Sequence, residues 1–245
     1  MVNQLSILDT EQEISLETNK EDMMSLFIKG IFGIVPFGSP IGEAITTVIP
    51  HQKLERVINF VQILNYKIKN AERRIEEHEL KTEEFTDLLE DALGQASRAL
   101  SKERLEYIAS LLKNSLTNEE LEHIENKKLL SLLGELNDAE IIWLQSFLPS
   151  PYVSEEFLEK HEKVLSILPL YEDCSESAED KQAVQKSYKE KLIQLGLLNA
   201  VYERYRQDEF PKFDEKTGKL KVSHYQISTL GYSLLRIIGV KIKEN

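Results

Sequence analysis

A heptad-like repeat of apolar residues runs through residues 51–80 and constrains the fold more than any other feature of the chain. Its apolar positions fall at alternating steps of three and four residues, a spacing that places them on one face of an α-helix. The repeat predicts one long helix over 51–80, typical of a helical bundle or a coiled coil. It also predicts a candidate self-association seam made of Leu54, Val57, Val61, Leu64, Ile68, Ala71 and Ile75.

Helix-start patterns recur after this segment. Thr117 with Glu120 and Asn137 with Glu140 have the spacing of capping boxes, in which two side chains satisfy free backbone N–H groups of a first helical turn. No internal repeat of fixed period is present. The chain is therefore predicted to be mainly α, with a multi-helix bundle that forms a helical body over residues 19–169.

The character of the sequence changes after the acidic segment 170–180, LYEDCSESAED, which we expect to be a linking loop. A lysine-rich helix follows, then a strand-like segment, a turn at Thr217-Gly218, a returning strand, and a helix that begins after Ser228. Helix, strand, turn, strand and helix are the outline of a winged-helix unit. Residues 181–245 are therefore predicted to form a small winged-helix-like α+β unit.

The stretch GIFGIVPFGSPIG lies in a predicted Gly/Pro-rich hydrophobic hairpin over residues 30–50. A phosphate-binding loop is excluded because no lysine follows Gly38. A membrane-spanning helix is excluded because the uncharged run is far shorter than the roughly 20 residues required. The hairpin is expected either to be buried against the long helix or to present apolar residues to a partner or to lipid, and these residues are Ile31, Phe32, Ile34, Val35, Phe37 and Ile41.

The formal net charge of −12 is unevenly distributed. Residues 1–180 hold 17 Lys+Arg and 35 Asp+Glu, whereas residues 181–245 hold 13 and 7. The acidic part should repel nucleic acid, while the basic part can contact DNA phosphates or an acidic protein surface. Candidate contacts to nucleic acid or a protein partner are Lys186, Lys189, Lys191, Lys216, Lys219 and Lys221.

No pattern in the sequence carries catalytic chemistry. The five histidines are scattered, and no pair has the four-residue spacing that brings two imidazoles to one metal ion. The single Cys174 lies in the acidic segment, which discourages a reactive thiolate. We therefore assign no catalytic, cofactor-binding or metal-ligating residue and favour a nonenzymatic protein, leaving open an activity assembled from distant residues.

The first residues and the cysteine content bear on localisation. Residues 1–18 are acidic and lack a basic segment that leads into an apolar one, so we expect a flexible N-terminus rather than a secretion signal. One cysteine cannot form an internal disulfide, which fits a reducing compartment. These features predict a cytoplasmic protein.

Three segments resemble the Abi-alpha group of bacterial abortive-infection proteins and related uncharacterised helical defence proteins. They are residues 30–58, with the Gly/Pro hairpin leading through VIPHQKLERVI; residues 103–144 of the helical core; and residues 192–238, where LIQLGLL precedes the strands and YQISTLGYSLLRIIG follows them. The resemblance implies a nonenzymatic or uncharacterised role in phage resistance and transfers no catalytic residue.

Taken with the resemblance, the sequence leads to one main hypothesis and two alternatives. The main hypothesis is an interaction protein of bacterial phage defence that senses or holds a protein partner, which can be a second copy of itself. One alternative is a DNA-binding regulator that acts through residues 181–245. The other is a membrane-acting effector that acts through the hairpin at residues 26–50.

Overall fold

The computed structural model describes residues 51–76, 78–117, 121–166, 176–203, 210, 212–213, 218 and 220–242. The chain divides into two compact units, residues 1–130 and 131–245. This division lies upstream of the predicted linking loop at 170–180, which is described only from Glu176 onward, where it begins a helix. The predicted flexible N-terminus and the Gly/Pro hairpin at 30–50 lie outside the described residues.

The described part of the first unit is helical. Its elements are α1 (His51–Lys69), a 3₁₀ helix (Glu79–Lys81), α2 (Glu83–Ala96), α3 (Lys102–Thr117) and the beginning of α4 (His123–Glu135). Helices α1, α2 and α3 pack against one another. Apolar side chains removed from water form the core between them and supply most of the folding free energy; they include Phe60, Leu88, Ile108, Leu111 and Leu112.

Helix α1 is shorter than the sequence predicts, since it ends at Lys69 rather than near residue 80. The side-chain amide of Asn70 donates a hydrogen bond to the Tyr66 carbonyl at 2.7 Å and so satisfies a carbonyl of the last turn. Residues 71–76 that follow are not helical. Contacts with other elements of the first unit, described below, hold residues 71–76 in a non-helical conformation.

The predicted helix start at Thr117 is also wrong, because Thr117 is the last residue of α3. Its hydroxyl donates to the carbonyls of Lys113 and Asn114, each at 3.4 Å, and therefore turns back onto its own helix. Helix α4 begins later, at His123. The spacing of Thr117 and Glu120 matches a capping box, but it did not indicate that α3 extends through Thr117.

The second unit contains the remainder of α4 and seven further elements. They are α5 (Asp138–Ser146), α6 (Glu155–Lys160), α7 (Glu162–Leu165), α8 (Glu176–Gln194), β1 (Leu198–Tyr202), β2 (Val222–Ile227) and α9 (Thr229–Ile237). Helix α8 packs on α5 and on β1. The described residues thus form nine α-helices and one small antiparallel sheet near the C-terminus, which confirms the predicted mainly α fold with a small α+β unit.

The two strands pair antiparallel, with Leu198 opposite Ile227 and an irregularity between Val201 and Tyr202. Helix α8 ends at Gln194, and Gly196, two residues later, has a φ of 72°, in the left-handed region that glycine adopts without strain. The Leu197 N–H then bonds back over the helix end, so the chain turns directly into β1.

Ser228 closes the base of the β-hairpin. Its hydroxyl accepts a hydrogen bond from the Gly231 N–H at 3.0 Å, which caps α9 as the sequence predicted. The same hydroxyl donates to the Gly196 carbonyl at 2.6 Å. A Cβ at Gly231 would lie 2.4 Å from the Leu197 carbonyl oxygen, so glycine permits the close approach of α9 to the end of α8.

Candidate functional site

Lys191, a predicted nucleic-acid contact, points into the second unit. Its ammonium donates hydrogen bonds to the Glu135 carbonyl at 2.6 Å and to the Glu140 carboxylate at 3.0 Å. Glu140 is buried and also accepts a hydrogen bond from the Asn137 N–H, which completes the predicted capping box of α5. Lys191 is therefore the partner of a buried charge, and contact with DNA would have to break that pair.

Lys189 lies on the aromatic residues of the same unit. Its ammonium is 4.9 Å from the centroid of the Trp143 ring, within the range of a cation–π contact. Burial lowers the pKa of Lys189 from its ordinary value. Trp143 also packs against Phe147, and Phe147 meets Tyr225 edge-on at 6.3 Å. This cluster connects α8, α5 and β2.

Lys221 is paired with Glu203 at 3.1 Å, and Lys212 approaches the same carboxylate at 3.4 Å. The hydrogen bond from Lys221 is the main cause that lowers the pKa of Glu203. Lys186 is more exposed and lies 3.9 Å from Glu190. Of the candidate lysines in the described residues, Lys186 is therefore the one whose charge is least committed to the unit itself.

The beginning of α8 does not favour contact with nucleic acid. Glu179 and Asp180 are exposed in the turns that precede Lys186. Negative charge at this end of the helix repels phosphates. The two remaining candidates, Lys216 and Lys219, lie outside the described residues.

Exposed apolar side chains gather on the β-hairpin. Tyr202 is 51% exposed, Phe213 57% and Leu220 40%. Phe213 and Leu220 oppose each other in an antiparallel bridge, and the Glu203 N–H bonds to the Lys221 carbonyl beside Tyr202. Side chains opposed in this way, as Phe213 and Leu220 are, lie close together. Tyr202 is opposite Val222, two residues after Leu220 on the same strand segment. We name Tyr202, Phe213 and Leu220 the hairpin surface.

The sequence analysis did not predict the hairpin surface. The segment FPKF carries a sequence signal, because two aromatic residues flank a proline and a lysine in a connection that is otherwise polar. Phe210, the first of the two, is almost fully exposed. Aromatic residues in such a connection would be expected to point inward or to contact something else.

The predicted self-association seam is divided by the structure. Val57, Val61 and Leu64 are buried within the first unit, which leaves these three side chains no surface for a second chain. Ile68 is half-buried near the end of α1, and Ala71 and Ile75 lie beyond the helix. The Leu54 side chain lies outside what the structure describes. Self-association stays a prediction.

A polar cluster connects α2 with α4 in the first unit. The Asp87 carboxylate accepts hydrogen bonds from Lys127 at 2.6 Å and lies 3.0 Å from the His123 ring. These groups, Lys127 first, hold the pKa of Asp87 below its ordinary value. Among the described residues, no group of three or more His, Cys, Asp or Glu side chains is placed to hold a metal ion. We interpret the cluster as a structural ion pair.

The residues proposed to face lipid or a partner, at positions 31 to 41, lie outside the described residues. Within the part that the structure describes, no helix combines the length and the apolar character needed to cross a bilayer. Compared with protein-family models, with curated proteins and with solved structures, the chain gives no significant match. The candidate site therefore depends on its geometry alone.

Proposed function

We propose that the chain is a nonenzymatic interaction protein of bacterial phage defence and that the hairpin surface contacts its protein partner. The observation that carries this proposal is the exposure of Tyr202, Phe213 and Leu220 together on one β-hairpin. Single exposed apolar residues are common on any protein, but adjoining ones are typical of contact surfaces. Aromatic residues in particular are enriched where proteins meet.

The charges of the second unit favour a protein partner over DNA. Lys191 is engaged with Glu140, and Lys212 and Lys221 share Glu203. Nonspecific DNA binding needs cations that are free to replace the counterions of phosphates. An apolar hairpin beside ion pairs that are already formed instead suits a protein surface, which needs little added charge.

The setting in phage defence depends on the resemblance to Abi-alpha proteins. One of the resembling segments, residues 192–238, includes β1, β2 and α9, and contains all three residues of the hairpin surface. This overlap supports assigning the recognition role to the C-terminal unit. In this proposal, the helical body and the C-terminal unit would each contact the partner.

A phage-plating assay tests the proposal. Cells that express the wild-type chain should form fewer plaques than cells without it, across a panel of phages. The triple variant Tyr202→Ser, Phe213→Ser and Leu220→Ser should lose this protection because it removes the apolar contact. A matched control, Leu100→Ser with Ile124→Ser, changes side chains of the first unit that are 87% and 74% exposed and should keep protection.

The outcomes separate the two parts of the proposal. No protection by the wild-type chain would contradict the role in defence. Protection by the wild type and equal protection by the triple variant would contradict the role of the hairpin surface. Equal far-UV circular dichroism and equal thermal midpoints of the variants would show that they are folded. A duplex-DNA shift that falls with salt and is weakened by Lys186→Glu would favour the DNA-binding alternative instead.

A further inference from the structure

Residues 70–76, NAERRIE, form no helix although their composition favours one. Five of the seven are alanine, glutamate or arginine, which have high helix propensity, and the segment contains no glycine or proline. Ala71 and Ile75 also continue the apolar spacing of α1 from Ile68. Local preference and observed structure therefore disagree here, which is unusual in natural proteins outside functional elements.

One group of contacts holds the non-helical form. The Arg73 guanidinium donates two hydrogen bonds to the Glu79 carboxylate, at 3.1 and 2.6 Å, and a third to the Leu116 carbonyl in the last turn of α3. The Glu76 N–H donates to the same carboxylate at 2.7 Å. We name the paired side chains of Arg73 and Glu79 the clasp.

The clasp and a continuous helix exclude each other. In an α-helix, side chains three or four positions apart are neighbours, whereas residues six positions apart point in different directions. Arg73 and Glu79 are six positions apart, so a helix that ran through both would separate them. A helix over residues 70–76 alone would engage the Glu76 N–H with the Glu72 carbonyl and so remove its hydrogen bond to the Glu79 carboxylate. The Leu116 contact would be lost with the pair, because it uses the same guanidinium.

We propose that residues 70–76 are a two-state element, which the clasp keeps out of α1. Release of the clasp adds about two turns to α1 at 3.6 residues per turn. The added turns bring Ile68, Ala71 and Ile75 onto one face, which the clasped form does not assemble. The heptad pattern in the sequence thus corresponds to the second state, in which residues 70–76 continue α1. This inference is independent of the hairpin surface.

Hydrogen exchange of backbone amides tests the two-state element. Glu79→Gln weakens the clasp while keeping the side-chain size, and Arg73→Ala removes it. In both variants the amides of residues 71–76 should gain at least about tenfold protection, because helical N–H groups are hydrogen-bonded. Protection in α2 and α3 should fall by no more than about fivefold, because the variants lose only a small part of the stability of the first unit. Arg74→Ala is the matched control, since Arg74 is exposed and pairs only loosely with Glu76, at 3.3 Å.

A second substitution tests whether the gain in protection at residues 71–76 comes from helix formation or from another cause. Arg74→Gly, added to Glu79→Gln, disfavours a helix without touching the clasp and should reverse the gain in protection. Unchanged exchange at residues 71–76 in both clasp variants would overturn the proposal. So would a gain that Arg74→Gly does not reverse. A loss of protection of more than about tenfold throughout α2 and α3, with no gain at residues 71–76, would also overturn it, because the clasp would then be a structural contact only.

Discussion

The Lys191 ammonium and the Glu140 carboxylate form an ion pair of 3.0 Å in which the glutamate is almost completely buried. The carboxylate also holds the first turn of α5 through the Asn137 N–H, and the ammonium also binds the Glu135 carbonyl at the end of α4. Three helices of the second unit therefore meet at one pair of charges. The ammonium supplies the buried Glu140 carboxylate with a cationic hydrogen-bond donor.

Lys191→Met should destabilise the second unit by about 2 kcal/mol, because it leaves the buried Glu140 carboxylate without its cation. Trp143, the only tryptophan of the chain, lies in the same unit. Urea unfolding followed by tryptophan fluorescence therefore measures the loss directly.

Lys186→Met is the matched control, because Lys186 is exposed and its distance to Glu190 is 3.9 Å. We expect its effect to stay within about 0.5 kcal/mol. The double variant Lys191→Met with Glu140→Gln should recover part of the stability, since glutamine keeps the capping role and carries no charge. Equal stability of Lys191→Met and the wild type would contradict the structural role of the pair.

Gly231→Ala should destabilise the second unit by about 1–3 kcal/mol. A Cβ at this position meets the Leu197 carbonyl oxygen at 2.4 Å and an Ile227 side-chain carbon at 2.8 Å, so backbone elements must move apart. Thermal unfolding followed by tryptophan fluorescence should show a lower midpoint.

Gly94→Ala provides the opposite expectation for a helical glycine. Gly94 lies within α2, and a Cβ there meets no atom within 4 Å. Alanine should therefore stabilise the first unit by about 0.5–1 kcal/mol, because it reduces the conformational freedom of the unfolded chain. A loss of stability in Gly94→Ala would contradict the packing described for α2.

Glu79 should make the stability of the first unit depend on pH in the acidic range. The hydrogen bonds from Arg73, and then from the Glu76 N–H, lower the pKa of Glu79 from 4.5 to about 2. A carboxyl group with a depressed folded-state pKa contributes stability above its unfolded pKa. That contribution is lost progressively as the pH falls from about 4.5 through about 2.

Glu79→Gln should therefore be less stable than the wild type at neutral pH, by about 1 kcal/mol, and the difference should shrink on acidification. Urea unfolding followed by far-UV circular dichroism at a series of pH values measures it. Glu55→Gln, at an exposed position of α1, should parallel the wild type. A constant difference between Glu79→Gln and the wild type at every pH would argue against the charged hydrogen bonds.

Ser228→Ala should destabilise the second unit by about 1–2 kcal/mol, because the hydroxyl caps α9 and also binds the Gly196 carbonyl. Ser154→Ala is the comparison, since Ser154 caps the short, exposed helix α6 and makes the same type of bond to Phe157. Its effect should be smaller. Equal losses in chemical unfolding would mean that the Gly196 bond contributes nothing.

The sequence predicted those features that depend on neighbouring residues. The capping box of Asn137 with Glu140 and the cap at Ser228 are confirmed, because each needs only a few residues and a local backbone geometry. The two strands are also confirmed, since their alternating aromatic and β-branched residues favour extended backbone.

Features set by distant contacts were not predictable in the same way. The end of α1 depends on the hydrogen bonds from Arg73 to Glu79 and Leu116. No local sequence pattern indicates the contact with Leu116, which is distant in the sequence. The role of Lys191 depends on α8 packing on α5, so charge composition alone assigned it to the surface. The hairpin surface was missed because exposure of an aromatic residue is known only once the fold is known.

The bond between Ser228 and Gly196 fixes the two ends of the β-hairpin independently of what lies between the strands. Insertions or substitutions in that connection can therefore accumulate without disturbing α8 or α9. Over evolutionary time, we expect related chains to keep the GLL and S-x-x-G segments while the tip of the hairpin changes in length and composition.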